Sequence, residues 1–157
     1  MRAVEVIVAP ATTDDVRLAL RTLAERGSAA RTASPGTPVR TWAVLGELGV
    51  DDGLSENDAV VEHDRVGRQA VRLAVDKTVC VGDSRAVRAL HQGAVMEGSW
   101  GDEVRLVATA ADARALLTAE PDWTPAAGDV VLIAGRDPGV IAVAELWRGG
   151  TDDGAKR

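Results

Sequence analysis

The sequence predicts an α/β domain three layers deep, with helices on both faces of a mainly parallel sheet of about five or six strands. Three observations carry that expectation. Short β-branched runs alternate with helical patterns five times along the chain. The runs are apolar without a polar alternate face, as in strands buried on both sides. The 157 residues, 46% of them apolar, amount to one domain, and a chain of that size buries roughly two-thirds of its unfolded surface.

Val4 to Val8 reads as the first strand. Thr12-Thr13-Asp14-Asp15 then supplies an N-cap and an acidic first turn, so a helix starts there. Val16, Leu20, Leu23 and Ala24 fall on one face of it, and Gly27 is its expected stop. Ser28 to Pro38 is small, polar and broken by proline and glycine, the pattern of a loop. Thr41 to Leu45 is the second strand, ending at Gly46. An acidic loop, Gly49 to Asp58, leads to a helix from about Ala59 to Ala74, with Val60, His63, Val66, Ala70 and Leu73 along one side. Thr78 to Val81 is the third strand, followed by Gly82-Asp83-Ser84 and a helix carrying Ala86, Val87 and Leu90. Val104 to Val107 is the fourth, and Thr109 caps a helix containing Ala113, Leu116 and Leu117. Gly128-Asp129 turns into the fifth strand, Val130 to Ile133. A last helix follows Pro138 with Val140, Ile141, Ala144 and Trp147. The domain is expected to span 1–148 in a Rossmann-like arrangement, with 149–157 a flexible tail.

Composition excludes several classes of function. A net charge of −6 weighs against a binder of phosphate backbones. With no Phe or Tyr and only four Trp, the chain also lacks the aromatic clusters that stack single-stranded bases. No nucleic-acid partner is expected. Nor is a membrane, since no run approaches the ~20 apolar residues a span needs. Met1-Arg2-Ala3-Val4-Glu5 does not read as a signal peptide, so the expected location is the cytoplasm.

Catalytic motifs are also missing. Cys80, the only cysteine, allows no internal disulfide and reads as a small buried hydrophobe. His63 and His91 lie on separate helical patterns without an HExxH motif, so no metal site is expected. No GxxxxGKS/T phosphate loop exists, because the only lysines are Lys77 and Lys156, and no GxGxxG follows the first strand. Ser84, His63 and Asp83 make a triad on paper only, with no GxSxG elbow behind it. No catalytic residue is assigned.

In open parallel sheets ligands gather at the carboxyl ends of the strands, where helix N-termini point N–H groups outward. Those ends are Pro10 to Asp14, Gly46-Glu47, Gly82-Asp83-Ser84, Ala108-Thr109 and Gly135-Arg136-Asp137. Arg136 suits a carboxylate or phosphate held by a bidentate pair, and Glu47 or Asp83 suits an ammonium group. A plainer reading has Asp14, Asp83 and Thr109 capping helices. Trp100, within Glu97-Gly98-Ser99-Trp100-Gly101, is open to either a recognition or a packing role.

Arg40-Thr41-Trp42-Ala43-Val44-Leu45-Gly46-Glu47-Leu48, followed by Glu62-His63 and Val66-Gly67-Arg68, resembles the VLGEMxELG…ExHxxVG pattern of the Mur ligases. Val79-Cys80-Val81-Gly82 is similar to the next strand of that family. Gly128-Asp129-Val130-Val131-Leu132-Ile133-Ala134-Gly135 resembles its GDVVLVKGS segment. The similarity covers Val4 to Trp147 and is to the C-terminal, third domain. Such ligases, the resemblance implies, bind a UDP-sugar on one domain and carry the phosphate loop on a central one. The last domain presents the incoming D-Ala-D-Ala, whose amine attacks an acyl phosphate.

Taken with the strand-end reading, the expected substrate-binding set is Gly46, Glu47, His63, Asp83, Gly135 and Arg136; of these Gly46, Glu47 and His63 match the family pattern, and His63 is also suited to pin the acidic loop to its helix. Nucleotide-facing positions fall at Thr12, Thr13 and Asp14. Here the chain departs from the family's DxYNANPDS motif. The acid has become Ile7, the asparagines Pro10 and Thr12, and the proline Thr13, while Asp14 persists. An isoleucine cannot accept a bond from a ribose hydroxyl. In the later segment Ala134 and Arg136 replace a lysine and a serine.

Without a phosphate loop and its magnesium ligands, nothing stabilises a transferring phosphoryl group. The chain alone is therefore expected to show no activity and bind no cofactor, with ATP and Mg entering only through a phosphate-loop domain. The leading expectation is a stand-alone, non-catalytic homologue that binds a small ligand such as a dipeptide. Its partners would be other Mur ligase domains or enzymes of peptidoglycan precursor synthesis. Two alternatives stand beside it. One is the dipeptide-presenting domain of an active ATP-dependent D-Ala-D-Ala-adding ligase. The other is an interaction module using the Trp100 loop or the valine-rich sheet edge.

Overall fold

A computed structural model describes residues 3–148. The elements are β1 (Glu5–Val8), α1 (Thr13–Ala33), β2 (Thr41–Leu45), α2 (Glu56–Arg72), β3 (Lys77–Val81), α3 (Arg85–Glu97), β4 (Val104–Val107), α4 (Ala110–Ala119), β5 (Val130–Ala134) and α5 (Pro138–Ile141). Short 3-10 turns span Pro121–Trp123 and Ala142–Ala144. The expected flexible tail at 149–157 lies outside the described residues.

The sheet has five strands, all parallel, in the order β1-β5-β2-β3-β4. Strands β2 and β5 are buried along their whole length, so neither could carry a polar face. One core lies under α1, α2 and α3, where Val16, Leu20, Leu23, Val66, Ala70, Val87, Leu90 and Ala94 meet Ala43, Leu45, Cys80, Leu132 and Ala134. The other packs α4 and α5 (Ala113, Leu116, Leu117, Val140) and Trp123 against Trp42, Val44, Val79, Val131 and Ile133. The two sets of strand residues alternate, as a period of two requires.

Three crossovers therefore step across the sheet in one direction over one face. The fourth, from β4 through α4, returns over the opposite face to place β5 between β1 and β2. Opposite direction on opposite faces keeps every crossover the same hand.

Local sequence accounts for most boundaries. Thr12, Ser84 and Thr109 each accept the N–H three residues on as N-caps, and Ser55 with Asp58 forms a capping box. Asp83 and Asp14 do not cap. Helix α2 starts at Glu56, inside what reads as the acidic loop, because that capping box precedes the first apolar residue.

Gly27 does not end α1, which continues to Ala33. The segment after it is rich in alanine, and Arg31 anchors it to the Val39 carbonyl and Asp76. A β-carbon at Gly27 would lie 2.5 Å from Thr41 Cγ2, so the glycine is where the helix touches β2. The last helix reaches Trp147 as expected, with a 3-10 turn at Ala142–Ala144 between two α-helical stretches.

At the amino-terminal end of the sheet, Asp129 is 1% exposed and accepts from the Arg40 N–H, the Trp42 indole N–H and the Ala126 N–H. A buried carboxylate is tolerated only with this many donors. Trp42 stands edge-to-face with Trp123, ring centroids 6.3 Å apart.

At Gly67 and Gly93, helices α2 and α3 meet backbone to backbone. A β-carbon on Gly67 would lie 2.0 Å from the Leu90 carbonyl oxygen, and one on Gly93 would lie 2.2 Å from that of Asp64. Neither obstacle is a flexible side chain. Gly67→Ala or Gly93→Ala should therefore push the helices apart and destabilise the fold by about 2–3 kcal/mol, read as a lower urea midpoint. An unchanged midpoint would mean that the helices do not cross at these glycines.

Cys80 is wholly buried in mid-strand, and desolvation pushes its thiol up to about 12. A thiol reagent should label the native chain only at the rate of unfolding, and at once in denaturant. Immediate stoichiometric labelling without denaturant would contradict this placement.

Candidate functional site

Because all five strands are parallel, the five carboxyl ends share one rim. Placing β5 between β1 and β2 brings three of their tips into contact. Ala9 N–H donates to the Ile133 carbonyl and Gly46 N–H to that of Ala134, both extending strand pairing past the strands. Arg136 N–H then donates to the Glu47 carbonyl at 2.9 Å. On the other side, Gly49 N–H donates to Ala11 and Thr13 N–H to Gly49. The loop after β2 is thus stitched by backbone to the loops after both β5 and β1.

Glycine makes the closest of these approaches possible. A β-carbon on Gly135 would sit 3.2 Å from the Gly46 α-carbon and 3.2 Å from Val140 Cγ1. Both glycines are buried, and each is followed by an exposed charged residue. Glu47 and Arg136 therefore project side by side from adjacent tips, with Arg136 Nη1 4.0 Å from Glu47 Oε2 and both side chains about half exposed or more.

His63 lies beneath this loop, wholly buried on α2. Its Nε2 is 3.0 Å from the Leu48 nitrogen and its Nδ1 2.7 Å from the Ala59 carbonyl oxygen. An amide N–H can only donate and a carbonyl can only accept, so Nδ1 carries the proton and Nε2 is bare. The imidazole is neutral. Burial lowers its pKa, against the opposing pull of the Ala59 carbonyl and the Glu47 and Glu62 carboxylates. With both ring nitrogens engaged, His63 supports the rim from below and offers no atom to a ligand.

Of the residues expected to bind substrate, Gly46, Glu47, Gly135 and Arg136 form one contiguous feature. Asp83 is exposed at the tip of β3, on the other side of β2 from β5. Among the expected nucleotide-facing residues, Thr12 spends its hydroxyl on the α1 cap and on the Asp15 carboxylate at 2.8 Å. Thr13 is 4% exposed, and only Asp14 presents an uncommitted polar side chain to solvent. Among the described residues no group of His, Cys, Asp or Glu could hold a metal ion.

Sequence reasoning missed the part played by Leu48 and Gly49, whose backbone carries the loop's bonds. It also missed Val140, which packs under both rim glycines. Backbone bonds leave no residue signature. Val140 had one, a β-branched residue two positions after a proline that starts a helix.

Other features lie away from the rim residues. A groove of about 420 Å³ runs between α2 and α3, lined by Val60, Val61, Ala89 and Met96 with Asp64 and Arg68. Trp100 is 74% exposed just before β4, at the amino-terminal end of the sheet. No helix among the described residues is long and apolar enough to cross a membrane.

Comparison with known proteins adds a lineage. No protein-family model and no solved structure matches the chain. The UDP-N-acetylmuramoyl-tripeptide–D-alanyl-D-alanine ligase of Mycobacterium leprae is 46% identical over 148 residues, covering 92% of this chain and 26% of that protein. Ligases of the same name from Mycobacterium bovis and Mycobacterium tuberculosis are 44% identical over 119 residues, covering 71% of this chain and 22% of theirs. The chain thus spans about a quarter of the length of these relatives.

Proposed function

We propose that this chain, which belongs to the Mur ligase family as a relative of one domain of it, holds a small zwitterion of the D-alanyl-D-alanine class at the β2–β5 rim. Arg136 would receive the carboxylate and Glu47 the ammonium group. The observation that supports this most directly is the pair itself, two opposite charges 4.0 Å apart on tips whose backbones are bonded to each other.

An exposed pair this loose contributes only about 0–1 kcal/mol, so separating it costs little. A ligand with its own opposite charges replaces one weak contact by two charge-assisted ones. The relatives are named for D-alanyl-D-alanine, which carries those two charges.

The sequence has no phosphate loop, so we assign acyl-phosphate chemistry, ATP and Mg to residues outside this chain, and a binding role to the chain itself. The partners that suit it are other Mur ligase domains or enzymes handling cell-wall precursors, in the cytoplasm. A second reading has the same rim presenting the dipeptide within an active ligase. It is favoured by the chain matching only 26% of a relative's length, which leaves room for the missing domains.

Titration calorimetry with D-Ala-D-Ala tests the binding role. Arg136→Ala and Glu47→Gln should each weaken binding by about tenfold to a hundredfold, the worth of a hydrogen bond to a charged group. N-acetyl-D-Ala-D-Ala, which lacks the ammonium, should bind weakly and be indifferent to Glu47→Gln. Equal affinity of all three proteins for the dipeptide would remove the rim from consideration. ATP turnover by the pure chain would overturn the non-catalytic role.

A further inference from the structure

The loop that carries Glu47 has no capping side chain of its own. Its hold on the rest of the molecule comes from its backbone bonds to the neighbouring tips, from the Leu48 side chain packed in the core, and from a hydrogen bond to buried His63 of α2. That single contact is sensitive to a proton. We infer that His63 is the positioning residue of the rim, holding the Gly46–Gly49 loop in place only while Nε2 is unprotonated, so that ligand binding at the rim is coupled to release of a proton from this imidazole. The ligand half rests on the reading given above; the loop half does not.

The chemistry is one of donors and acceptors. In the neutral ring, Nδ1–H is taken up by the Ala59 carbonyl and Nε2 receives the Leu48 N–H. Adding a proton to Nε2 sets two N–H groups against each other inside the core, where no water can part them at no cost. Leu48 is 2% exposed, so its amide has no ready alternative partner. The imidazolium state breaks the bond to Leu48 and loosens the loop at that point. Leu48 lies between Glu47, one charge of the rim pair, and Gly49, which is bonded to the β1 loop in both directions.

The charges that act on the ring are Glu47 from the loop and Glu62 from α2, and both favour the imidazolium. Burial outweighs them, so the folded-state pKa lies below the ordinary imidazole value. An unfolded imidazole titrates near about 6.5. The sign follows from a depressed folded-state value. The stability contributed by the neutral ring is whole above the unfolded value, and it drains away as pH falls toward the folded one. Ligand affinity is level above the folded-state value and falls by up to about tenfold per pH unit below it.

Two substitutions separate this from a packing role. His63→Gln keeps an acceptor near the Nε2 position but does not titrate. His63→Leu keeps bulk and removes the acceptor. Amide hydrogen exchange followed by NMR should show Leu48 protected in the wild type at pH 7.5, and exposed at least about tenfold more readily in His63→Leu or on acidification of the wild type. His63→Gln should retain protection over the same pH range. Calorimetry with D-Ala-D-Ala should show wild-type affinity falling once the pH drops below the ring's folded-state value, with His63→Gln level.

If Leu48 protection in the wild type and in His63→Gln responds identically to pH, the positioning role is overturned, and this arm remains decisive even if His63→Leu does not fold. Affinity equally pH-dependent in both proteins would overturn the coupling. If no protein binds the dipeptide while Leu48 protection follows the expected pattern, the ligand reading fails and the positioning of the loop stands.

Discussion

The insertion of β5 between β1 and β2 is the constraint on which the rest of the structure depends. A parallel strand can enter the middle of a sheet only after a crossover long enough to return over one face. The hand of that crossover obliges it to use the face opposite to the first three helices. From this follow the two separate cores and the full burial of β2 and β5. It also explains why the loop after β5 departs from its neighbours toward the other face. Asp129 secures the entry point. One buried carboxylate binds β2 through the Arg40 amide and the Trp42 indole, and the chain before β5 through Ala126.

The two ends of the sheet are stabilised by different means. At the amino-terminal end the ties are side chains. Asp129 and Asp76 collect N–H groups, while Arg40 lies over Trp42 and Lys77 and Arg105 over Trp123. At the carboxyl end the ties are backbone bonds among glycine-bearing loops, with His63 beneath. Backbone stitching leaves the side chains of Glu47 and Arg136 exposed while fixing the atoms from which they project. A site built this way can be rigid in its α-carbons and still be weakly paired in its charges.

What could be read from the sequence, and what could not, divides along the range of the interaction. The five strands and the starts of α1, α3 and α4 were legible because local signals carry them, namely continuous apolar runs and a Thr or Ser cap three residues before an amide it can reach. The long reach of α1 was not, because Gly27 as a stop signal is a local argument and its close approach to Thr41 is a tertiary one. Strand order was equally out of reach, since five apolar strands of similar composition do not announce their neighbours. At the rim, Glu47 and Arg136 were legible as charges following strand ends. That they are neighbours depends on the position of β5, and nothing local encodes it. Asp83, a charge of the same kind, follows β3, the other neighbour of β2.

His63 joins the two levels. Its place on the buried side of α2 was legible from helical spacing, and with it the idea that it pins a loop to its helix. Its partner is Leu48, just before the acidic segment, and the bond is made by the ring rather than by a charge. A carboxylate there would repel Glu47 and Glu62, and an ammonium could not accept the Leu48 N–H. A neutral imidazole alone among titratable side chains both donates to Ala59 and accepts from Leu48 at opposite ends of a rigid ring. An amide side chain could satisfy one partner well, but it lacks the span to satisfy both in the same geometry. The arrangement therefore selects histidine for its shape and its two distinct nitrogens, and sensitivity to protons comes with that choice.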